Sequence, residues 1–251
     1  METQRNMQAI RNITFVLLQI VLTPVFALII CASFWAPPKA RNELCAWYTR
    51  LFVWLAKHLC RINYVVEGWE NVPKTPFIVL SKHSSTWETL MLESVFTPGS
   101  FVAKKELLWV PFFGWGFALS SPITIDRKAG AKSMDKMIEQ GMERLNKRGF
   151  TIIIFPEGTR IPAGTKGRYK TGGARLAIGC NVPVLPIAHN AGYCWPRHPW
   201  KKYPGTVTMS VLPQINPAGR SQNELNELVE RVIEAEVARL GDPRTSANVS
   251  A

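Results

Sequence analysis

Residues 13–35 carry no charge, and only Thr14, Gln19, Thr23 and Ser33 interrupt an otherwise apolar run. Coiled as a helix at about 1.5 Å per residue, such a run reaches roughly 35 Å, enough for a bilayer hydrocarbon core of about 30 Å. Arg5 and Arg11 precede it, and Lys39 and Arg41 follow it. A signal peptide has a shorter apolar core and a small-residue cleavage site, and Ser33-Phe34-Trp35 is a poor one. Pro24 is expected to kink the helix. A second stretch, residues 44–60, mixes Trp47, Tyr48, Phe52 and Trp54 with Arg50, Lys57 and His58. Aromatic and basic residues together suit the interfacial zone of a bilayer. Membrane contact through residues 1–60 is expected. The basic flanks are alike on both sides, so spanning and lying in one leaflet both stay open.

The rest of the 251 residues is enough for one sizeable core. Thirty Lys and Arg against 18 Asp and Glu leave a formal charge of +12, which favours anionic partners: nucleic acid, an anionic membrane face or phosphorylated small molecules. Nucleic acid fits poorly, because the basic residues are spread over turns and the aromatics sit in apolar segments. The five cysteines are odd in number and none has metal-ligand spacing, so reduced, buried thiols are expected and no metal site.

From about residue 62 short apolar runs alternate with amphipathic stretches. Residues 76–80, 101–103, 122–125, 151–155, 184–188 and 206–211 read as strands, and residues 84–96, 130–148 and 169–179 as helices. The pattern predicts an α/β domain over 61–240, a mixed sheet flanked by helices, behind the apolar helical anchor of residues 1–60. Ser221-Gln222-Asn223-Glu224 has capping-box spacing and opens a last helix, which Gly241-Asp242-Pro243 stops; the tail 241–251 is polar.

Three segments placed after strands carry candidate chemistry. In Ser81-Lys82-His83-Ser84-Ser85-Thr86-Trp87-Glu88, a His and an acid lie five positions apart. On a regular helix they would stand about 140° apart. They can meet only if His83 precedes the helix and Glu88 lies in its first turns, with Ser84 or Ser85 as cap. Glu88 would then fix the imidazole tautomer and leave the other nitrogen as a base. Phe155-Pro156-Glu157-Gly158-Thr159-Arg160 ends the most hydrophobic strand with a turn and a guanidinium able to hold a phosphate. Lys104 and Lys105, and then Arg127 in Ile125-Asp126-Arg127, are further basic residues delivered by strands. No G-x-S-x-G elbow supports a serine hydrolase, and Gly114-Trp115-Gly116 lacks the third glycine of a dinucleotide fold.

Taken in order, His83 with Glu88, Lys104-Lys105-Glu106-Leu107, Ile125-Asp126-Arg127, the Glu157–Arg160 turn and Val182-Pro183-Val184-Leu185-Pro186-Ile187 resemble the glycerolipid acyltransferases, specifically the bacterial 1-acyl-glycerol-3-phosphate acyltransferases. The resemblance spans roughly residues 60–215. It implies acyl transfer from acyl-CoA or acyl carrier protein to the free hydroxyl of a lysophosphatidate, with glycerol 3-phosphate or another lysophospholipid as the alternative acceptor. A non-catalytic, basic lipid-binding surface protein is the alternative from another class. The resemblance also implies His83 as general base and Glu88 as its orienter. Glu157, Gly158, Thr159 and Arg160 would bind the acceptor, with Lys104, Lys105 and Arg127 as further phosphate contacts, and residues 182–187 would shape the acyl site. No metal or organic cofactor is implied; the acyl thioester is a co-substrate. The phospholipid membrane is the implied partner, with the catalytic domain on the cytoplasmic side of the inner membrane. The family's acid is usually Asp where this chain has Glu88, and its residue before the His is often Asn where this chain has Lys82.

Overall fold

The structure is a computed structural model that describes residues 2–125 and 130–246. Two helices lead the chain, α1 (Glu2–Ala32) and α2 (Pro38–His58). α1 runs through Pro24, and α2 opens on a proline, whose missing N–H suits a first helical turn. Then follow β1 (Ile62–Glu67), β2 (Ile78–Ser81), α3 (Trp87–Val95), β3 (Gly99–Lys104), α4 (Phe113–Leu119) and β4 (Ile123–Ile125). The second half holds α5 (Gly130–Met142), β5 (Thr151–Ile154), α6 (Gly172–Cys180), β6 (Val184–His189), α7 (Ala191–Cys194), β7 (Gly205–Val211) and α8 (Gln222–Leu240).

The strands form one seven-stranded sheet in the order β1-β7-β6-β2-β5-β3-β4. Every neighbouring pair is parallel except β6 with β7, which makes the sheet mixed as expected. β2 is the central strand. Its side chains alternate between two cores: Phe77 and Val79 join one, Ile78 and Leu80 the other. The first core is closed by α1, α2 and α3 through Phe15, Phe52, Trp87 and Leu92, the second by α5, α6 and α8 through Met137, Leu176, Leu225 and Val229. A largely parallel sheet covered on both faces explains why its central strands read as unbroken apolar runs.

β1 was not among the expected strands. It is an edge strand with most of its residues exposed, so its sequence lacks the apolar alternation that marks the others. The helix expected over 84–96 starts later, at Trp87, because the backbone amides before it are captured by a side chain. The stretch 130–148 is α-helical to Met142 and widens to a π turn over Glu143–Lys147. The capping box of α8 forms as read: Ser221 Oγ accepts from Glu224 N at 3.3 Å, and Glu224 Oε2 from Ser221 N at 2.8 Å.

α1 has two apolar sides. Phe15, Ala27 and Ile30 are buried against the protein, Phe15 edge-on to both Phe52 and Trp195. Ile10, Ile13, Leu17, Ile20, Val21 and Leu28 are exposed. Among the described residues α1 is the one helix long and apolar enough to cross a membrane. An outer apolar row of that size, next to exposed Phe34 and Trp35, points to membrane association.

The inner side of these helices is part of the fold. Phe52→Ala is expected to lower stability by about 3–5 kcal/mol, as for any large core truncation, seen as a reduced melting temperature in detergent. A melting temperature unchanged from wild type would mean that α2 is only an appendage.

Candidate active site

The chain leaves the central strand β2 at Ser81. Lys82 N donates to Ile187 O at 3.0 Å, which carries the β2–β6 ladder one residue further. The backbone then turns. Ser84 N and Ser85 N donate to Glu88 Oε1 at 3.1 and 2.9 Å, and His83 Nδ1 lies 2.8 Å from the same oxygen. Those amides serve the carboxylate and not a helix, so α3 begins only at Trp87, whose N–H is accepted by Ser85 Oγ at 3.0 Å. Glu88 sits in the first turn of α3, where the helix dipole favours negative charge. Burial alone would push its carboxyl up; the nearby His189 and His83 and the Ser85 amide outweigh that and hold it below the ordinary carboxylate value. An ionised carboxylate only accepts, so Nδ1 of His83 carries the proton and Nε2 presents the lone pair. Nε2 has no hydrogen-bond partner among the described residues. The imidazole stacks on Phe155, with ring centroids 3.9 Å apart.

A second turn, after β5, locks onto the first. Glu157 Oε2 accepts from His83 N at 2.7 Å, Ile161 N donates to His83 O at 2.8 Å, and Arg160 Nε donates to Ser85 O at 2.9 Å. Gly158 adopts φ +66°, a conformation that costs glycine little. Lys82 completes the lock from below. Its Nζ lies 2.7 Å from Glu157 Oε1, 2.8 Å from Glu234 Oε1 on α8 and 3.2 Å from Thr165 O. Burial pushes the Glu157 carboxyl up, and the Lys82 ammonium opposes that shift only in part. Lys82 and Glu157 are 2% and 3% exposed, so this is an interior ion pair. Where the family often has Asn, Lys82 is thus a buried brace.

A cavity of about 1040 Å³ opens beside these turns. His83, Lys104, Gly158, Thr159 and Arg160 border it, and Phe26, Ala27 and Ile30 of α1 with Leu90, Phe117 and Ile154 give it apolar walls. Of the expected contacts, Lys105 and Glu157 do not border it. Lys105 is exposed at the start of a short 3-10 helix, and both oxygens of Glu157 are taken up by Lys82 and the His83 amide. Arg127 lies outside the described residues. Residues 182–187 do not reach the cavity either: Val184 to Ile187 belong to β6 and are buried in the sheet. The sequence reading missed Lys170, Arg197 and the amino end of α6 at Thr171–Gly173, all of which border the cavity. Of these only Thr171-Gly172-Gly173 carried a local signal, a small-residue helix start of the kind that accommodates anions. It also missed Glu93 on the cavity wall, buried and bonded by Asn42 Nδ2 at 3.0 Å. The arrangement can take a proton from a hydroxyl at His83, hold an anion at Arg160 and Lys104, and shelter a long apolar group.

Comparison with known proteins agrees with this chemistry. The family described as Acyltransferase matches residues 63–190. A 1-acyl-sn-glycerol-3-phosphate acyltransferase from Pseudomonas aeruginosa is 43% identical over 229 residues, 89% of this chain and 88% of that one. The human 1-acyl-sn-glycerol-3-phosphate acyltransferase alpha is 30% identical over 219 residues, 85% of this chain and 74% of that one. The crystal structure of the 1-acyl-sn-glycerophosphate acyltransferase from Thermotoga maritima superposes with a TM-score of 0.75 at 26% identity, covering 96% of this chain and 98% of that one.

Two consequences can be measured. Lys82→Met leaves Glu157 and Glu234 without their cation and is expected to destabilise the protein by about 3–5 kcal/mol; a melting temperature within a degree of wild type would contradict the brace. Burial pushes the Glu93 carboxyl up to about 8, against the hydrogen bond from Asn42 and the charge of Arg50. The folded state therefore keeps a proton that the unfolded chain releases, and the stability this lends is lost as pH rises through about 8. Glu93→Gln, which mimics the protonated acid, should melt progressively higher than wild type as pH rises from 6 toward about 8 and level off above it. A constant difference across that range would show that Glu93 does not titrate there.

Proposed function

The chain belongs to the acyltransferase family, and we propose that it transfers a fatty acyl group from an acyl thioester, of coenzyme A or of acyl carrier protein, to the sn-2 hydroxyl of 1-acyl-glycerol 3-phosphate, giving phosphatidate. The observation that carries this reading is the His83 imidazole, held at Nδ1 by Glu88 and bordering a cavity with both a guanidinium and a long apolar wall.

The acceptor phosphate lies against Arg160 and Lys104, and its free hydroxyl faces His83 Nε2. Arg160 spends Nε on Ser85 O and keeps its terminal nitrogens for the ligand, a fork suited to phosphate oxygens. His83 takes the hydroxyl proton as the oxygen attacks the thioester carbonyl. The carbon–sulfur bond breaks, and the proton on Nε2 goes to the leaving thiolate. Glu88 stays ionised and stabilises the imidazolium formed between the two steps. The alcohol attacks directly, so no acyl-enzyme is needed.

Membrane attachment fits the lipid acceptor. α1 contributes Thr23, Phe26, Ala27 and Ile30 to the cavity and an exposed apolar row on its other side. One helix thus connects bilayer and active site, and a lysolipid can enter without crossing water. The cytosolic supply of thioester donors supports a domain on the cytoplasmic face of the inner membrane.

The test is transfer from a radiolabelled acyl thioester to lysophosphatidate by the full chain purified in detergent. Labelled phosphatidate is expected, and Arg160→Ala should raise the acceptor KM far more than the donor KM, by the roughly 10-fold or more that loss of a charge-assisted bond entails. Product from a different acceptor alone would move the assignment to that acceptor. No transfer to any acceptor would refute it.

A further inference from the structure

We propose that His189 is a positioning residue for the His83–Glu88 pair, holding the pair's geometry and keeping the Glu88 carboxylate ionised through an Nε2–H that is bonded to Lys82 O and stands beside Glu88 Oε2. The inference rests on the acyl-transfer reading of His83. It starts from sheet register. β6 pairs with β2 so that Ile187 lies opposite Ser81, and the ladder continues from Lys82 N to Ile187 O. His189, two residues further along β6, is thereby brought beside the turn that carries His83.

Its surroundings define its state. His189 is 1% exposed. Nδ1 accepts from Ala191 N at 3.2 Å, and Nε2 lies 2.9 Å from Lys82 O. A backbone donor on one nitrogen and a carbonyl on the other permit a single neutral tautomer, with the proton on Nε2. The titratable groups around it are Glu88 from α3 and Lys82 and His83 from the turn after β2. Burial, the largest influence, holds the imidazole below its ordinary value, so it remains a dipole and does not compete with His83 as a second cation.

Glu88 supplies the reason for such a dipole. Its Oε1 receives Ser84 N, Ser85 N and His83 Nδ1, while Oε2 is sealed from solvent with no hydrogen-bond partner among the described residues. His189 Nε2 stands 3.8 Å from that oxygen. The distance is too long for a hydrogen bond, but a buried N–H dipole acts across it. The bond to Lys82 O also fixes the backbone just before His83. His189 touches no substrate position and acts only through these two neighbours.

The test uses full-length protein in detergent with three variants. His189→Gln keeps an N–H near the place of Nε2, His189→Asn puts it near Nδ1, and His189→Phe removes it while filling the space. His189→Phe is expected to lose kcat on the order of 10-fold, as second-layer partners do, with the KM of both substrates within about 2-fold of wild type. The acid limb of its pH–rate profile should move to higher pH, because without the N–H dipole the His83–Glu88 pair holds its proton more tightly. His189→Gln should recover rate and profile, and His189→Asn should not. If His189→Phe fails to fold, the Gln and Asn variants decide alone: equal loss in both overturns the proposal. A lower melting temperature with unchanged kcat and pH profile would overturn it too. A readout without turnover separates this inference from the assignment of the reaction. In 15N-histidine-labelled protein, which has four histidines, the His83 signals are identified by their loss in His83→Ala. The Nδ1–H signal, deshielded by the bond to Glu88, should shift upfield in His189→Phe and return in His189→Gln, even if wild type transfers no acyl group; an unmoved signal rejects the positioning role.

Discussion

Lys82 and Glu157 meet at 2.7 Å with both side chains sealed from solvent. Lys82 follows β2 and Glu157 follows β5, adjacent parallel strands, so the pair ties together the carboxyl ends of the two strands that deliver the site. Taking two charges out of water is costly, and an interior ion pair is seldom a large net source of stability. What it gives here is geometry. With one oxygen committed to Lys82, Glu157 has the other available for the His83 amide, and Ile161 N and Arg160 Nε close the remaining backbone groups of the same turn. Glu234 brings α8 to the same ammonium, so α8 also braces the turn that carries His83. General-base chemistry needs atoms held to a fraction of an ångström, and a doubly anchored turn on a central strand meets that demand.

The rest of the architecture follows from where that turn stands. Parallel strands place their carboxyl ends side by side, and ligand sites gather at such ends. β2 leads to His83, β5 to the Arg160 turn, β3 to Lys104 and β6 to His189. α1 then serves two solvents at once. Its inner side completes the core over the sheet and part of the cavity wall, while its outer row is apolar and exposed, as the proposed membrane attachment requires. An apolar helix with both sides apolar is what such a double duty requires.

Much of this was legible in the chain. The five-residue spacing of His83 and Glu88 admits contact only through a turn before a helix, and that turn is what forms. The Ser221–Glu224 box and the α/β alternation rest on equally local signals. The misreadings share one cause, which is that side-chain direction is decided by tertiary partners. Glu157 sits in a turn that borders a ligand cavity, yet a cation 75 positions earlier in the sequence turns it inward. Residues 182–187 were tied to the acyl site by the resemblance alone, and a central strand and a lipid-facing wall share a composition that does not tell them apart. β1 lacked a pattern because an edge strand need not bury one. Lys170, Arg197 and His189 stand in no motif at all, and only the folding of distant segments brings them to the site.

The central claim is that an imidazole oriented by Glu88 removes the acceptor proton. The most direct measurement is kcat/KM for acyl transfer by His83→Ala, with its melting temperature recorded alongside. A loss of about 10²-fold or more in a variant that melts like wild type is the expected result. Activity within a few-fold of wild type would contradict the account, because the acceptor proton would then have left without the imidazole.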